Sequence, residues 1–413
     1  MSMHPASGEK ASAVPGDLSG GGRAAGASLG ALGGRERVWD VLRGAGVLGI
    51  FLVHGFVFSS PSMEPLARRL SWSADWPYLL SSVVANGKFI AVLAATFGAG
   101  FAMMYARDVA SGRTTGEARL RLVRRCAVLM GLGALHYVLL FWGDILQWYG
   151  LVGLAAAGLV GRSERVLLGV AVAGVALAGV AGTAVMGLQA AAMLLAPQDV
   201  QAWAREELQQ ELAVFGAGSY LSQVSWRLSF YPYLFVQYLA EVPLILGLMA
   251  AGMWVWQRGY LTRPSAHPAA VRWTLGVGLG VGVPLNVLAV LSTHPVAMLL
   301  LLYVQRVCGG VLLGAALAML LATAVERGAA QRLTGLLACV GRRALSCYVL
   351  QSLLANVLFY SWGLGLYGQL TPLQKLGAVA GVWAAVVAAA AGAERAGVRG
   401  PLEWAWRKLA PTR

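Results

Sequence analysis

Ten apolar stretches recur along the chain, at approximately 39–58, 78–105, 123–141, 145–161, 166–195, 228–256, 273–292, 296–325, 344–366 and 375–393. A helical crossing of a bilayer needs roughly 20 apolar residues. Apolar positions in these runs are continuous rather than alternating, which excludes a transmembrane barrel. The 78–105 and 296–325 runs are long enough to tilt or to break partway. The pattern predicts an all-α, polytopic helical membrane protein with about ten transmembrane helices. Between the fifth and sixth runs, the polar segment 196–227 carries Asp199, Glu206, Glu207 and Glu211, with helical periodicity over Gln201–Leu212. Residues 1–34 are rich in Gly, Ala and Ser, include Pro5 and Pro15, and have no apolar core. They read as a disordered cytoplasmic tail, which leaves 35–413 as one transmembrane domain. No secretory leader is expected, so the first run serves as its own insertion signal.

Composition agrees with this pattern. Of the 413 residues, 58% are hydrophobic and 12% charged, about half the charged fraction of soluble domains. The net charge of +14 raises the question of nucleic acid, but the basic residues do not gather on one face; they fall at the ends of apolar runs. With the amino terminus inside, segments 1–38, 106–122, 162–165, 257–272, 326–343 and 394–413, with their edges, hold about 24 Lys and Arg, against about five in the outer segments. That is the bias of short cytoplasmic loops. It predicts both termini in the cytoplasm, the 196–227 loop outside, and no nucleic-acid partner. Cys126, Cys308, Cys339 and Cys347 show no CxxC pair and no metal spacing; they read as packing residues, and no metal is expected.

Ionised side chains at mid-membrane cost about 2.5–3.5 kcal/mol each on insertion scales, so each needs a partner or a task. The first run carries Asp40, Arg43 and His54. Asp40 lies one turn before Arg43 and can pair with it. His54 comes eleven residues after Arg43 on nearly the same helical face, about 16 Å along the axis. The second run holds Asn86 and Lys88, and the eighth Tyr303, Gln305 and Arg306. The sixth has Ser229, Tyr233, Gln237 and Glu241 at steps of four, and the ninth Tyr348, Ser352, Asn356 and Tyr360, with Gln351 beside them. Asp144 sits in a short turn between the third and fourth runs, with His136 two turns earlier. His54, Asn86, Lys88, Asp144, Glu241, Arg306, Gln351 and Asn356 are therefore candidates to line a polar cavity between helices. The alternative is that they satisfy one another as interhelical glue; His136 stands between a core histidine and a catalytic one. The run Gly276, Gly278, Gly280, Gly282 lies inside a span with no strand before it and reads as close helix packing.

The stretch GRRALSCYVLQSLLANVLFYSWGLGLYGQL (341–370), closing with GPLEWAWRKL (400–409), resembles the YeiB-like family of bacterial membrane proteins, domain of unknown function 418. These motifs fall within a signature region at 340–410, and three earlier pieces join them: DVLRGAGVLGIFLV (40–53), GKFIAVLAATFGAGF (87–101) and LHYVLLFWGDILQWYGLVGL (135–154). The family is distantly similar to transmembrane acyltransferases, including the heparan-glucosaminide acetyltransferase and acyltransferase-3 enzymes. In the latter an arginine, ten residues and a histidine open the first span; Arg43 and His54 match that spacing. Residues 55–77 contain no further histidine, so the resemblance implies His54 as a base rather than an acylated nucleophile.

The resemblance and the buried charges together lead to the expectation of an acyltransferase of the bacterial cytoplasmic membrane. Acyl-CoA, as co-substrate rather than resident cofactor, would dock its phosphates on Arg43, Arg124 and Arg125 at the inner face. His54 would deprotonate a hydroxyl or amine of a small-molecule or glycan acceptor at the outer face. Asp144 would orient His54 or bind the acceptor, and Lys88 or Arg306 would stabilise the oxyanion. The runner-up is a secondary transporter using the same charged cavity, and a third possibility is a scaffold without activity. The bilayer is the one certain partner, and oligomerisation is left open.

Overall fold

A computed structural model describes residues 21–62, 83–291 and 295–410, and contains helices and no strand among them. The tail reading for residues 1–20 lies outside the described residues. Helix α1 (Gly21–Ser59) begins inside the segment read as a tail. It is followed by α2 (Lys88–Ala110), α3 (Thr115–Leu139), α4 (Leu146–Ala156), α5 (Glu164–Leu195) and α6 (Pro197–Glu211). A π-helical turn at Leu212–Ala217 leads to α7 (Tyr220–Leu239) and α8 (Val242–Arg258). Then come α9 (Pro268–Val277), α10 (Val283–Leu291), α11 (Pro295–Val304), α12 (Gly310–Glu326), α13 (Gln331–Arg342), α14 (Ala344–Phe359), α15 (Pro372–Arg395) and α16 (Pro401–Leu409).

Local chemistry sets several of these ends. Thr114 and Glu117 form a reciprocal capping box at the start of α3, and Thr371 with Gln374 does the same for α15, where Pro372 fills the first turn. Gly259 ends α8 in the left-handed conformation, which glycine adopts without a Cβ penalty.

The span count differs from the sequence reading. Among the described residues, seven helices are long and apolar enough to cross a membrane, or up to nine if each of two bent pairs counts as one span. The 145–161 run yields only the eleven-residue α4. The 296–325 run stays helical and changes from α- to π-helical winding over Gln305–Gly309. The 228–256 run bends by 56° between α7 and α8, at Ala240–Glu241. Residues 331–342, read as an inner loop because of their arginines, form α13, which meets α14 at 89°.

Glycine makes the bundle tight. A Cβ on Gly44 would strike the Leu337 carbonyl, and one on Gly341 the Asp40 carbonyl, so α1 and α13 touch backbone to backbone. Gly98 and Gly252 do the same for α2 and α8, as do Gly133 and Gly150 for α3 and α4. Close approach through small residues is how helices associate where lipid is as apolar as leucine. In the Gly276–Gly282 run, Gly278 and Gly282 pack on α12, while Gly276 and Gly280 face open space.

Segment ends that the charge count groups together do meet. Arg342 and Arg343 bind Glu394 at 2.7 and 2.5 Å, Arg258 pairs with Glu164, and Ser265 donates to Glu326. At the opposite end, the Gly368 amide donates to the Ser59 carbonyl at 2.8 Å, and the Ser62 hydroxyl to Glu211 at 2.5 Å. The bundle thus has a basic end and an end closed by the acidic loop.

Candidate functional site

A cleft of about 560 Å³ opens at the basic end between α1, α2, α3, α13, α14 and α16. Its lining holds seven arginines, Arg43, Arg107, Arg125, Arg342, Arg343, Arg399 and Arg407, against two carboxylates, Asp40 and Glu403. Arg43 is held by Asp40 at 2.6 Å, as its spacing predicts, and Arg343 by Glu394 and the Val398 carbonyl. Arg125 lies 4.2 Å over the Trp406 ring, whose indole N–H donates to the Arg125 carbonyl. Arg399 and Arg407 are exposed. Such a mouth attracts anions, and guanidinium forks suit phosphates.

Deeper in, the lining turns apolar: Val47, Leu93, Phe97, Phe101, Leu129 and Ile145. Along α2 the wall runs from Arg107 to Leu93, about 21 Å of helix rise. Tyr149 and Tyr348 also line it.

Behind Tyr348 stands a polar cluster. The His136 ring lies 5.1 Å from that of Tyr348, and the His54 ring 6.2 Å from it. His136 Nδ1 and Asp144 Oδ1 are 2.7 Å apart, both side chains almost fully buried. The other Asp144 oxygen accepts the Gln147 amide at 2.8 Å, so the carboxylate also caps the first turn of α4. With Asp144 on Nδ1, the neutral imidazole presents Nε2 as its acceptor. His136 Nε2 has no partner, nor have the Gln351 amide atoms and Asn356 Oδ1, all buried, while Tyr348 hydrogen-bonds the Ile145 backbone. An unsatisfied buried polar atom costs about 1–3 kcal/mol; four of them on neighbouring turns of α3 and α14 mark a place built for more than packing.

The expected site residues divide accordingly. Asp144 is bonded to His136 rather than to His54. His54 is half-buried, its ring 4.8 Å from Phe141, and it does not line the cleft. Arg43 and Arg125 line the cleft, whereas Arg124 is exposed outside it. Asn86, Lys88, Glu241, Arg306, Gln351 and Asn356 do not line it. Lys88 donates to the Asn286 side chain at 2.5 Å and the Asn86 carbonyl at 3.0 Å, and Arg306 lies 3.4 Å from Glu241. Neither cation therefore stands where a thioester in the cleft would develop charge. Asn356 donates to the Leu140 and Ser352 carbonyls, fastening α14 to the α3–α4 turn. The row of α14 is buried as its spacing implies. In the α7 row Ser229 and Tyr233 are exposed and Glu241 alone is buried, so the row does not continue into the bundle as one polar face. Among the described residues, no group of three His, Cys, Asp or Glu could hold a metal ion.

One residue outside the expected set stands out. Arg227 is fully buried on α7. Nothing in its local sequence separates it from the loop charges before it.

The fold and the cleft define a polytopic helical membrane protein with an anion-attracting cavity entering from its basic end. Residues 255–413 match the family model described as "Protein of unknown function (DUF418)". The chain is 28% identical over 405 residues to the uncharacterised protein YeiB of Escherichia coli strain K12, covering 91% of this chain and 96% of that protein. It is 26% identical over 409 residues to the uncharacterised protein YxaH of Bacillus subtilis strain 168, covering 90% and 93%. The YeiB-like, DUF418 resemblance carried by the motifs is thereby borne out. No solved structure matches the chain.

Proposed function

We propose that this protein is an acyltransferase of the bacterial cytoplasmic membrane, with its basic end and both termini inside, moving an acyl group from cytoplasmic acyl-CoA to a hydroxyl or amine at the opposite face. The observation that carries the reading is the course of the cleft: seven arginines at the mouth, an apolar wall, and Tyr348 at its inner end. Behind Tyr348 the His136–Asp144 pair, with an unpartnered Nε2, stands buried without lining the cleft. An anionic head fits the mouth and an acyl-bearing arm fits the wall. In the reaction His136 Nε2 takes the acceptor proton as the acceptor oxygen or nitrogen bonds to the thioester carbon. The C–S bond then breaks, and the proton passes to the coenzyme A thiolate. Asp144 keeps the imidazole in the required tautomer and stabilises its charged form. This gives His136 the role that the resemblance assigned to His54.

The test uses the full chain in lipid nanodiscs. Saturable acyl-CoA binding and release of free coenzyme A are expected, with release lost in His136→Ala. A chain that neither binds nor consumes acyl-CoA overturns the reading.

One observation favours the transporter reading. Glu241 sits at the α7–α8 break and Arg306 in the π-helical turn before α12, and interrupted helices carrying charge are how transporters build substrate sites. Solute accumulation in proteoliposomes that depends on Glu241, without acyl-CoA turnover, would select it.

A further inference from the structure

Arg227 has no side-chain solvent exposure and forms no ion pair among the described residues. Its Nη1 donates to the Val138 and Leu139 carbonyls at 2.9 and 3.1 Å, satisfying acceptors left over at the end of α3. Nε and Nη2 meet no carbonyl or carboxylate, and the guanidinium's side-chain hydrogen-bond partner is the Tyr360 hydroxyl. Those two atoms form one edge of the guanidinium, the fork that grips a carboxylate or phosphate through two parallel hydrogen bonds. The rings of Phe215 and Tyr360 lie 6.0 Å from the guanidinium carbon, with the Tyr360 hydroxyl also facing the group. Phe215 lies in the π-helical turn Leu212–Ala217, which forms a lid over this group, and Glu211, the carboxylate just before it, is engaged by Ser62 and Tyr367.

A cation that served only to cap α3 would need the Nη1 edge and nothing more. Burying a full charge without a counter-ion is among the most costly arrangements a protein can hold, and here the edge with bidentate geometry meets no carboxylate among the described residues. The carbonyls that Arg227 grips belong to the second and third residues after His136. The fork therefore lies about one helical turn from the histidine pair, on the side of the acidic loop.

We infer that Arg227 is an oxyanion-binding subsite, which takes the carboxylate or phosphate of a molecule entering from the acidic-loop end once the Phe215 turn moves aside. Its assignment as the anchor of the acceptor rests on the acyl-transfer reading; the anion site itself does not.

The test is titration of the full chain in neutral-lipid nanodiscs with inorganic phosphate in one arm and acetate in the other. Both are done in an Arg125→Gln, Arg407→Gln background that weakens the basic mouth. Saturable binding of at least one anion is expected, weakened about tenfold or more in Arg227→Gln, as loss of a charged bidentate pair implies, and partly restored in Arg227→Lys. Phe215→Ala, which leaves the guanidinium in place, should speed association. Phosphate alone, acetate alone, or both would each support the site and define its anion. If Arg227→Gln does not fold, Arg227→Lys and Phe215→Ala carry the test. No saturable binding, or binding indifferent to these variants, overturns the proposal. Anion binding without acyl-CoA turnover would sink acyl transfer and leave the subsite standing.

Discussion

The two ends of this bundle are built on opposite principles. At the basic end charge is left in surplus around an open cleft, with seven arginines facing two carboxylates. At the other end the surface is closed, and Arg227, without an ion pair among the described residues, is buried beneath it. Glu211 accepts from Ser62 and Tyr367, the Ser361 amide donates to the Phe215 carbonyl, and Phe215 packs on Trp226, Tyr360 and Tyr367. The polar cluster around His136 lies between them, approached by the cleft and roofed by the lid. Part of the basic excess is what cytoplasmic loops of any polytopic protein carry, and Arg43, Arg342 and Arg343 are held by Asp40 and Glu394. What sets this end apart is that its arginines surround an open cleft.

The sharpest way to break the comparison is to remove its centre. His136→Ala should lower acyl-CoA turnover by about 10²–10⁴-fold, the usual contribution of a general base, with folding retained on size-exclusion chromatography. His54→Ala, which removes an imidazole bearing no carboxylate, should lose much less. Equal losses would return the base to His54.

This contrast also shows what could be read from the chain alone. The crossings were legible because lipid penalises ionised groups so heavily that apolar length nearly dictates a span. The pairing of Asp40 with Arg43 was legible too, since it lies within one helical turn. The His136–Asp144 bond was not: eight residues along a straight helix would hold the two about 12 Å apart, and only the reversal at 140–145 brings them to 2.7 Å. Glu241 and Arg306 meet where the 228–256 run bends and the 296–325 run winds as a π-helix, positions that hydropathy does not pinpoint. Arg332 and Arg342 hid α13, whose one-sided apolar pattern (Leu333, Leu336, Leu337, Val340) was the signal that could have found it. Arg227 looked like one more loop charge until its burial was known.

A smaller effect is expected at the mouth. Arg125→Gln with Arg407→Gln should raise the KM for acyl-CoA about tenfold and leave kcat nearly unchanged, since these groups bind ground and transition states alike. The defect should shrink as salt is added, because exposed charges act through a screened field. A fall in kcat at unchanged KM would mean that the mouth does not hold the donor, and the open end would lose its meaning.

The smallest effect belongs to the lid and concerns pH. Burial raises the carboxyl pKa of Glu211 above its ordinary value, although the Ser62 and Tyr367 hydrogen bonds pull the other way. A group whose pKa is raised by folding stabilises the folded form while it is protonated, and that contribution fades as pH climbs through the raised value. The lid should therefore hold most firmly in acid and loosen towards neutrality. After correction for intrinsic rates, hydrogen exchange of the Leu212–Ala217 amides should lose protection over that interval. Glu211→Gln, which stays neutral, should flatten the profile. If the variant keeps the wild-type pH dependence, the clasp is not what holds the closed end shut, and the contrast between the two faces must rest on the aromatic packing of Phe215 alone.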